Sequence, residues 1–193
     1  MMSHSLIPGL SMKLDFLSSH SESLFLPVLA RSNVFGSSWS KVGPSANARK
    51  VLHFGYRYDY RRRQVGPDMY LGPLPPVFAR MATRLVDEGI MSEIPDQVIV
   101  NRYLPGQGIS AHIDCPPCFG PQIVTVSLGA TWPMRFTRGG RRFDVLLPRC
   151  SAALLSGEAR SHWRHEIVPN SLASSARYSF TFRNVFIEGA VRH

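Results

Sequence analysis

Cysteines, acidic residues and long apolar runs are all scarce in this sequence of 193 residues. The three cysteines are an odd number without repeated spacing, which argues against the disulfide framework of a small secreted protein. We therefore expect a cytoplasmic location. The Ser-rich, acid-poor first fifty residues leave a nuclear or organellar location open in a eukaryote. No apolar run approaches the roughly 20 residues of a membrane-spanning helix, so we expect no membrane partner.

The shortage of acids leaves a strong positive charge. Thirteen Asp and Glu oppose 22 Lys and Arg, which gives a formal net charge of +9 and a pI near 10.1. Such a surface attracts polyanions, because each cation that meets a phosphate releases condensed counterions. Net charge affects how a protein associates with charged partners and says nothing about its fold. It makes nucleic acid the leading class of partner. We expect the chain itself to be a monomer.

The length favours a single domain, and 15 glycines with 15 prolines indicate a body rich in turns. The one shift in composition is the Ser/Gly/Pro-containing stretch 31–48. We treat the chain as one domain overall. Within it we distinguish an N-terminal extension with a packing helix, residues 1–48, from the main body, residues 49–193.

Periodicity predicts an α+β fold that is mainly β. Apolar residues recur at helical spacing from Pro75 to Ile90. After Pro95, short β-branched and aromatic runs alternate with Gly and Pro, which is typical of an antiparallel sandwich or barrel. The predicted strands are Gln97–Tyr103, Ile123–Leu128, Trp132–Thr137, Arg142–Leu147, Ala152–Ser156, Trp163–Val168 and Arg177–Ile187. A double-sheet jelly roll would close such strands into a cup that can hold a metal or ligand.

A candidate metal site begins with His112 and Asp114, which point to the same face of an extended strand. A distant histidine would complete a 2-His-1-carboxylate triad, which leaves open positions for a co-substrate and for oxygen. His165 is the natural choice. His162 is a rival, but its strand parity is opposite to that of His165, so it should face away.

A candidate anion site lies on the last strand. Arg177 and Arg183 are six residues apart, hence on one face. Two arginines that face into a cup require anions, and 2-oxoglutarate carries two carboxylates that arginine can bind with paired hydrogen bonds. The alternative is that either arginine pairs with a surface acid.

Several ordered motifs carry a family resemblance. They are Asn101-Arg-Tyr103-Leu-Pro-Gly106-Gln-Gly108-Ile-Ser-Ala-His112-Ile-Asp114, Ser127-Leu-Gly129, Ser156-Gly-Glu-Ala-Arg160, Trp163-Arg-His165-Glu-Ile167 and Arg177-Tyr-Ser-Phe-Thr-Phe-Arg183. In order and spacing they resemble the AlkB family of Fe(II)/2-oxoglutarate dioxygenases. The resemblance covers about Leu52 to Val185 and implies a double-stranded β-helix (jelly-roll) core with N-terminal helices and a nucleotide-recognition lid.

The resemblance implies a role for each site residue. His112, Asp114 and His165 would ligate Fe(II), and O2 and 2-oxoglutarate would be consumed. The 2-oxoglutarate site would consist of Asn101, Tyr103, Arg177, Ser179 and Arg183. Arg177 would bind the distal carboxylate, and Arg183 would act catalytically near the chelating end. Ser179 stands where the family often has Asn, and its hydroxyl can still form a hydrogen bond.

The lid implied by the resemblance spans about residues 52–70. Tyr56, Arg57 and Tyr58 interleave aromatic faces with positive charge, and Arg61, Arg62 and Arg63 extend the basic surface. Such a surface can stack bases and neutralise phosphates. The alternative is an amphipathic strand whose arginines extend to solvent.

The resemblance favours oxidative demethylation of alkylated bases in DNA or RNA, a repair reaction that releases formaldehyde, succinate and CO2. Many base-repair members carry an acid two residues after the ligating aspartate, whereas Pro116 stands there in this chain. This departure keeps open a second function, hydroxylation of a modified base in transfer RNA.

Two less favoured functions are protein demethylation and nucleic-acid binding without catalysis. A binding module should show a broken ligand set, whereas His112, Asp114 and His165 are all present. Cys115 and Cys118 follow the metal motif, but a lone C-x-x-C is weak evidence for zinc. We expect two loop thiols.

Overall fold

Two antiparallel sheets form the body of the protein, which a computed structural model describes for residues 1–43 and 48–187. The major sheet has eight strands in the order β1-β2-β12-β9-β14-β7-β6-β5, and the minor sheet has four in the order β11-β10-β13-β8. A small hairpin pairs β3 with β4. The prediction of a mainly β jelly-roll core is thereby confirmed.

The elements up to residue 87 are β1 (Met2–Ser3), β2 (Leu10–Lys13), α1 (Ser19–Leu29), β3 (Asn33–Val34), β4 (Ser37–Ser38), β5 (Ser40–Lys41), β6 (Lys50–Phe54), a 3-10 turn (Pro67–Met69) and α2 (Pro76–Asp87). The elements that follow are β7 (Gln97–Tyr103), β8 (Ile109–His112), β9 (Phe119–Gly129), β10 (Trp132–Arg138), β11 (Arg141–Leu147), β12 (Ala152–Leu155), α3 (Gly157–Ser161), β13 (Arg164–Ile167) and β14 (Arg177–Val185).

Strand β14 separates two environments because its side chains alternate between the faces of the major sheet. Phe180 and Phe182 belong to the apolar core on the outer face, while Arg177 and Arg183 line a cup between the sheets. Every residue of β14 is buried, since helices cover one face and the minor sheet covers the other. The same strand therefore stabilises the fold and supplies the cup.

Helices α1 and α2 contribute to the core on the outer face of the major sheet. Helix α2 buries Phe78, whose ring centroid lies 5.0 Å from that of Phe54 and 5.1 Å from that of Phe180. It ends at Asp87 rather than at Ile90 as predicted, because Gly89 adopts φ of +65°, a left-handed conformation that terminates helices. No helix in the two described ranges combines the length and apolarity needed to cross a membrane.

The seven predicted strands correspond to β7 and to β9–β14 and lie close to their predicted positions, whereas β8 was not among them. β7 has the predicted bounds, and β14 begins at the predicted Arg177. The N-terminal part differs from the expected helical extension, since β2 pairs with β12 and thereby enters the major sheet. Leu52 to Phe54, at the start of the expected lid, belong to β6 and pair with β7. The division into residues 1–48 and 49–193 stays a prediction.

Replacing the buried core ring with a methyl group tests this packing. We expect Phe78→Ala to lower the free energy of unfolding by about 3–5 kcal/mol, because it leaves a cavity among aromatic neighbours. Urea denaturation measures the loss. Leu24→Ala on α1 is the control, since Leu24 is 62% exposed and its truncation should change stability by less than about 0.5 kcal/mol. Equal losses in the two variants would contradict the packing described.

Candidate metal centre and co-substrate cup

The cup lies between the two sheets, and its wall comes from both. The major sheet contributes Ile99, Asn101, Tyr103, Ile123, Thr125, Leu155, Arg177, Ser179, Thr181 and Arg183. The minor sheet contributes Ile109, Ser110, His112, Met134, His165 and Ile167. Loops add Val42, Gly43, Arg49, Tyr58, Tyr60, Arg63, Ile113, Asp114 and Cys115, and the lining also includes Phe119, the first residue of β9 in the major sheet. All eight residues predicted for the metal and the co-substrate thus meet in one cup.

Strand pairing brings the two histidines together. His112, the last residue of β8, pairs directly with His165 on β13, and their ring centroids lie 4.5 Å apart. Asp114 follows two residues after the end of β8. The potential ligand atoms of the three side chains all lie within 4.8 Å of one another. One ion could therefore contact all three.

The hydrogen bonds of His112 select the tautomer that a metal needs. Its Nδ1 lies 2.8 Å from the Ser110 carbonyl oxygen, which can only accept, so Nδ1 carries the proton. The other nitrogen, Nε2, is the one left for a metal and lies 3.5 Å from Oδ1 of Asp114. A ligating histidine is commonly oriented in this way by a carbonyl oxygen behind it.

The charge state of the other two residues also suits a metal. Burial alone would raise the pKa of Asp114, but Arg183, His112 and His165 together hold that pKa well below its ordinary value. Arg183 donates to Oδ2 of Asp114 from Nη2 at 3.2 Å and from Nε at 3.3 Å. Burial lowers the pKa of His165 to about 4, although Asp114 opposes this shift. At neutral pH the site therefore offers a carboxylate and a neutral imidazole.

These residues fit a ferrous ion. Nδ1 of His165 is buried and has no hydrogen-bond partner among the described residues, so no protein group there competes with a metal for that atom. Two imidazoles and one carboxylate on one side of an ion form the facial triad of non-haem iron oxygenases, which leaves positions free for other ligands. The donor set thus matches the predicted one.

His162 lies away from this centre. It is exposed, follows the short helix α3, and its Nδ1 lies 2.8 Å from the Ser161 hydroxyl. The predicted outward direction is right, but the reason was wrong, because His162 belongs to a helix C-terminus and not to a strand.

The deep wall of the cup is cationic. Arg177 is only 1% exposed, donates from Nη2 to the Ser127 hydroxyl at 3.0 Å, and its Cζ lies 5.5 Å from the centre of the Tyr103 ring. Burial lowers its pKa to about 10, so it stays charged at neutral pH. Its Nε has no partner among the described residues. A buried cation with a free donor fits a carboxylate ligand such as 2-oxoglutarate.

Asn101 and Ser179 lie beside each other on paired strands, and the Asn101 amide donates to the Ser179 hydroxyl at 3.4 Å. Both line the cup, and their contact with the co-substrate stays a prediction. Serine at position 179 thus keeps a polar group on this wall.

Arg160 supports the metal loop, residues 113–118 between β8 and β9. The motif quoted above contains Arg160, but no role was predicted for it. Its buried guanidinium donates to the carbonyl oxygens of Asp114 at 2.9 Å, Phe119 at 3.1 Å and Gly120 at 3.2 Å. Backbone carbonyls accept these bonds, so no partner side chain marks them in the sequence. Arg160 fixes the loop that positions Asp114.

The predicted lid residues divide into two groups. Tyr58 and Arg63 line the cup, and the Tyr58 ring lies 5.4 Å from Phe119. The others are outside the lining: Tyr56 packs against Tyr70, and Arg57, Arg61 and Arg62 are exposed. Sequence reasoning missed Tyr60 and Arg49, which also line the cup. The Tyr-x-Tyr-x-Tyr spacing of residues 56–60 was a signal for Tyr60.

The loop after Asp114 corrects one expectation. Cys115 and Cys118 form a disulfide rather than two free thiols. A turn in which the Cys118 amide donates to the Cys115 carbonyl oxygen brings their Cα atoms to 5.2 Å, within the range for a disulfide. Cys150 is the free cysteine of the described residues.

Metal affinity tests the triad. We expect His165→Ala to weaken binding of Co²⁺, an oxygen-stable substitute for iron, by about 100-fold or more, because one of three ligands is lost. Titration calorimetry under nitrogen measures the affinity. His162→Ala is the matched control and should bind Co²⁺ like the unaltered protein. A loss in the control with none in His165→Ala would exchange their roles.

The support given by Arg160 has its own test. Arg160→Lys keeps the charge but cannot reach several carbonyls at once, so we expect the free energy of unfolding to fall by about 2–4 kcal/mol. Co²⁺ should bind about tenfold more weakly, because Asp114 is no longer held in place. Thermal unfolding and calorimetry supply the two readings. Unchanged metal affinity would remove Arg160 from the positioning of Asp114.

A jelly-roll cup with an iron-type triad and a cationic wall defines the class of 2-oxoglutarate-dependent oxygenases. The family model described as "2OG-Fe(II) oxygenase superfamily" matches residues 34–183. Mouse tRNA (carboxymethyluridine(34)-5-O)-methyltransferase ALKBH8 is 36% identical over 164 residues, which are 84% of this chain and 24% of that protein. Alpha-ketoglutarate-dependent dioxygenase AlkB of Salmonella typhimurium is 34% identical over 138 residues, 65% of this chain and 62% of that one.

A solved structure titled "The structure of OsALKBH1" has the same fold, with a TM-score of 0.67 at 19% identity, over 94% of this chain and 99% of that one. The chain therefore belongs to the AlkB family of Fe(II)/2-oxoglutarate-dependent dioxygenases. It is an oxidoreductase that uses Fe(II), 2-oxoglutarate and O2, as predicted. The chain spans about a quarter of the mouse relative.

Proposed function

We propose that this dioxygenase oxidises a modified base in RNA, with hydroxylation of a modified uridine in transfer RNA as its reaction. His112, Asp114 and His165 hold the iron, which supplies the oxidising power when 2-oxoglutarate and O2 are present. Arg177 binds the distal carboxylate of 2-oxoglutarate. Asn101, Tyr103, Ser179 and Arg183 form the rest of that co-substrate's site.

The protein's own contribution is position and charge. Arg183 keeps the Asp114 carboxylate ionised and oriented, and the apolar wall residues Ile123, Met134 and Leu155 limit the access of water. Fixed ligands and a fixed anion clamp set the position of the oxidising centre, and a substrate bound in the cup presents its C–H bond to that centre at a lower entropic cost. Oxidation is then confined to the group that enters the cup.

Nucleic acid is the proposed partner because charge and aromatic surface coincide. The chain carries a formal charge of +9, and Tyr58, Tyr60 and Arg63 line the cup. Tyrosine can stack on a base, and arginine can neutralise a phosphate. A base in this cup must leave its stack, as it does in enzymes that modify bases.

One observation favours a neutral or acidic base over a positively charged lesion. Among the described residues that line the cup, Asp114 is the one carboxylate, and Arg183 already binds it. Pro116 stands where repair members carry an acid. Adenine methylated at N1 and cytosine methylated at N3 are cations at neutral pH, and they would face Arg49 and Arg63 without a free acid. The tRNA carboxymethyluridine in the mouse relative's name is a base without that charge conflict.

Oxidative demethylation of alkylated DNA or RNA is the second candidate. The similarity to AlkB of Salmonella typhimurium, named as a dioxygenase, favours it. In that reaction, hydroxylation of an N-methyl group gives an unstable product that loses formaldehyde. Formaldehyde therefore separates the two candidates.

The test supplies iron-loaded protein with 2-oxoglutarate and one of three substrates: an anticodon stem-loop RNA with 5-carboxymethyluridine or its methyl ester, a 1-methyladenine RNA, or a 1-methyladenine DNA. We expect a modified stem-loop to raise succinate release about tenfold or more over the uncoupled rate, because a bound substrate completes the site. Mass spectrometry should detect one added oxygen atom in the RNA, without formaldehyde.

His112→Ala is the control and should abolish succinate release with every substrate. Formaldehyde release from the 1-methyladenine oligonucleotides, with no reaction of the stem-loops, would replace the first candidate with demethylation.

A further inference from the structure

Arg49 is a buried arginine in the cup that the proposed iron and co-substrate sites do not use. It is 7% exposed, precedes β6 and lines the cup. Its Nε donates to Oδ1 of Asn101 at 3.2 Å, and its Cζ lies 5.5 Å from the centre of the Tyr60 ring. One side of this guanidinium is thus fixed by the sheet and one face by the lid.

No acid balances this charge within the described residues. None of their ion pairs includes Arg49, and Asp114, the carboxylate in the cup lining, is bound to Arg183. The terminal nitrogens of Arg49 donate to no described residue. A buried guanidinium is costly without an anion, and two free terminal nitrogens can bind one with paired hydrogen bonds.

The co-substrate does not account for Arg49. Its two carboxylates are met by Arg177 at the distal end and by the metal centre beside Arg183, as proposed above. Arg49 touches that site through Nε, which donates to Asn101, whereas the face of its guanidinium lies against Tyr60, and the cup lining also includes Tyr58 and Arg63 from the lid. The charge therefore lies beside lid residues, where the proposed function places the substrate.

We propose that Arg49, backed by Tyr60 and Asn101, is an anion-binding subsite for an acidic group of the substrate. This rests on the proposed function, which brings a nucleotide into the cup. The group is a carboxylate or phosphate oxyanion, carried either on the modified base or on the backbone of the target nucleotide. Arg49 then selects substrates that carry such an anion at this position.

The experiment measures binding rather than turnover. The protein is loaded with Co²⁺ and saturating 2-oxoglutarate in the absence of oxygen. Titration calorimetry then measures its affinity for three probes: 5-carboxymethyluridine, its neutral methyl ester and uridine 5′-monophosphate. We expect Arg49→Gln to weaken binding of at least one acidic probe by about tenfold or more, because the paired hydrogen bonds and the charge are lost. The matched control, Arg80→Gln on the exposed face of α2, should bind like the unaltered protein.

A loss confined to 5-carboxymethyluridine identifies the base carboxylate as the anion, and a loss with uridine 5′-monophosphate identifies the phosphate. Either result supports the subsite. Unchanged affinity for every probe overturns it, as does a higher half-saturating concentration of 2-oxoglutarate with probe binding intact. If the unaltered protein binds no probe, the subsite is also wrong.

Arg49→Lys covers the case in which Arg49→Gln does not fold. Lysine keeps the charge but lacks the planar fork, so acidic probes should bind about threefold or more weakly. Affinities equal to those of the unaltered protein would then overturn the subsite. If probes bind through Arg49 but no RNA is oxidised, the proposed function fails while the subsite stands.

Discussion

Direct pairing of His112 with His165 is the constraint on which the metal centre depends. It places two rings side by side, and the chain that leaves β8 delivers Asp114 to them. A slip of one residue would turn either histidine to the other face. Gly108 makes the approach of the strands feasible, since a Cβ there would lie 2.2 Å from the Ile167 carbonyl oxygen. The glycine of the motif thus serves the metal centre through backbone packing.

The balance of charge in the cup follows from that placement. Among the described residues, the cup lining contains one carboxylate, Asp114, and the three buried arginines Arg183, Arg177 and Arg49. Arg183 is matched by Asp114, but Arg177 and Arg49 are not paired with any acid of the described residues. Buried unpaired charge is costly, so the protein is built to be stabilised when anions bind. A dicarboxylate co-substrate would neutralise Arg177, and an acidic group on the substrate would neutralise Arg49.

Local patterns predicted much of this arrangement. Strand alternation placed Arg177 and Arg183 on one face, because side-chain direction in a strand depends on parity. The motif around His112 identified the candidate ligands, but Asp114 lies in the loop after β8 and not on the predicted extended strand. Features that depend on distant contacts were missed. Arg160 reaches carbonyls about forty residues away, and Arg49 reaches Asn101 across 52 residues. The pairing of β2 with β12 and the Cys115–Cys118 disulfide likewise depend on the folded geometry.

The cup and its lid differ in how firmly the fold holds them. The wall residues lie on strands with long ladders, whereas two isolated bridges, Tyr56–Tyr70 and Asp59–Gln64, stabilise the lid. The lid rests on the metal loop, since both disulfide sulfurs lie within 3.4 Å of the Arg63 carbonyl oxygen. Under the proposed function, lid residues set the choice of substrate while the sheets keep the chemistry constant. Because the loop beneath the lid follows directly after Asp114, a substrate bound by the lid would also act on this residue of the candidate metal centre.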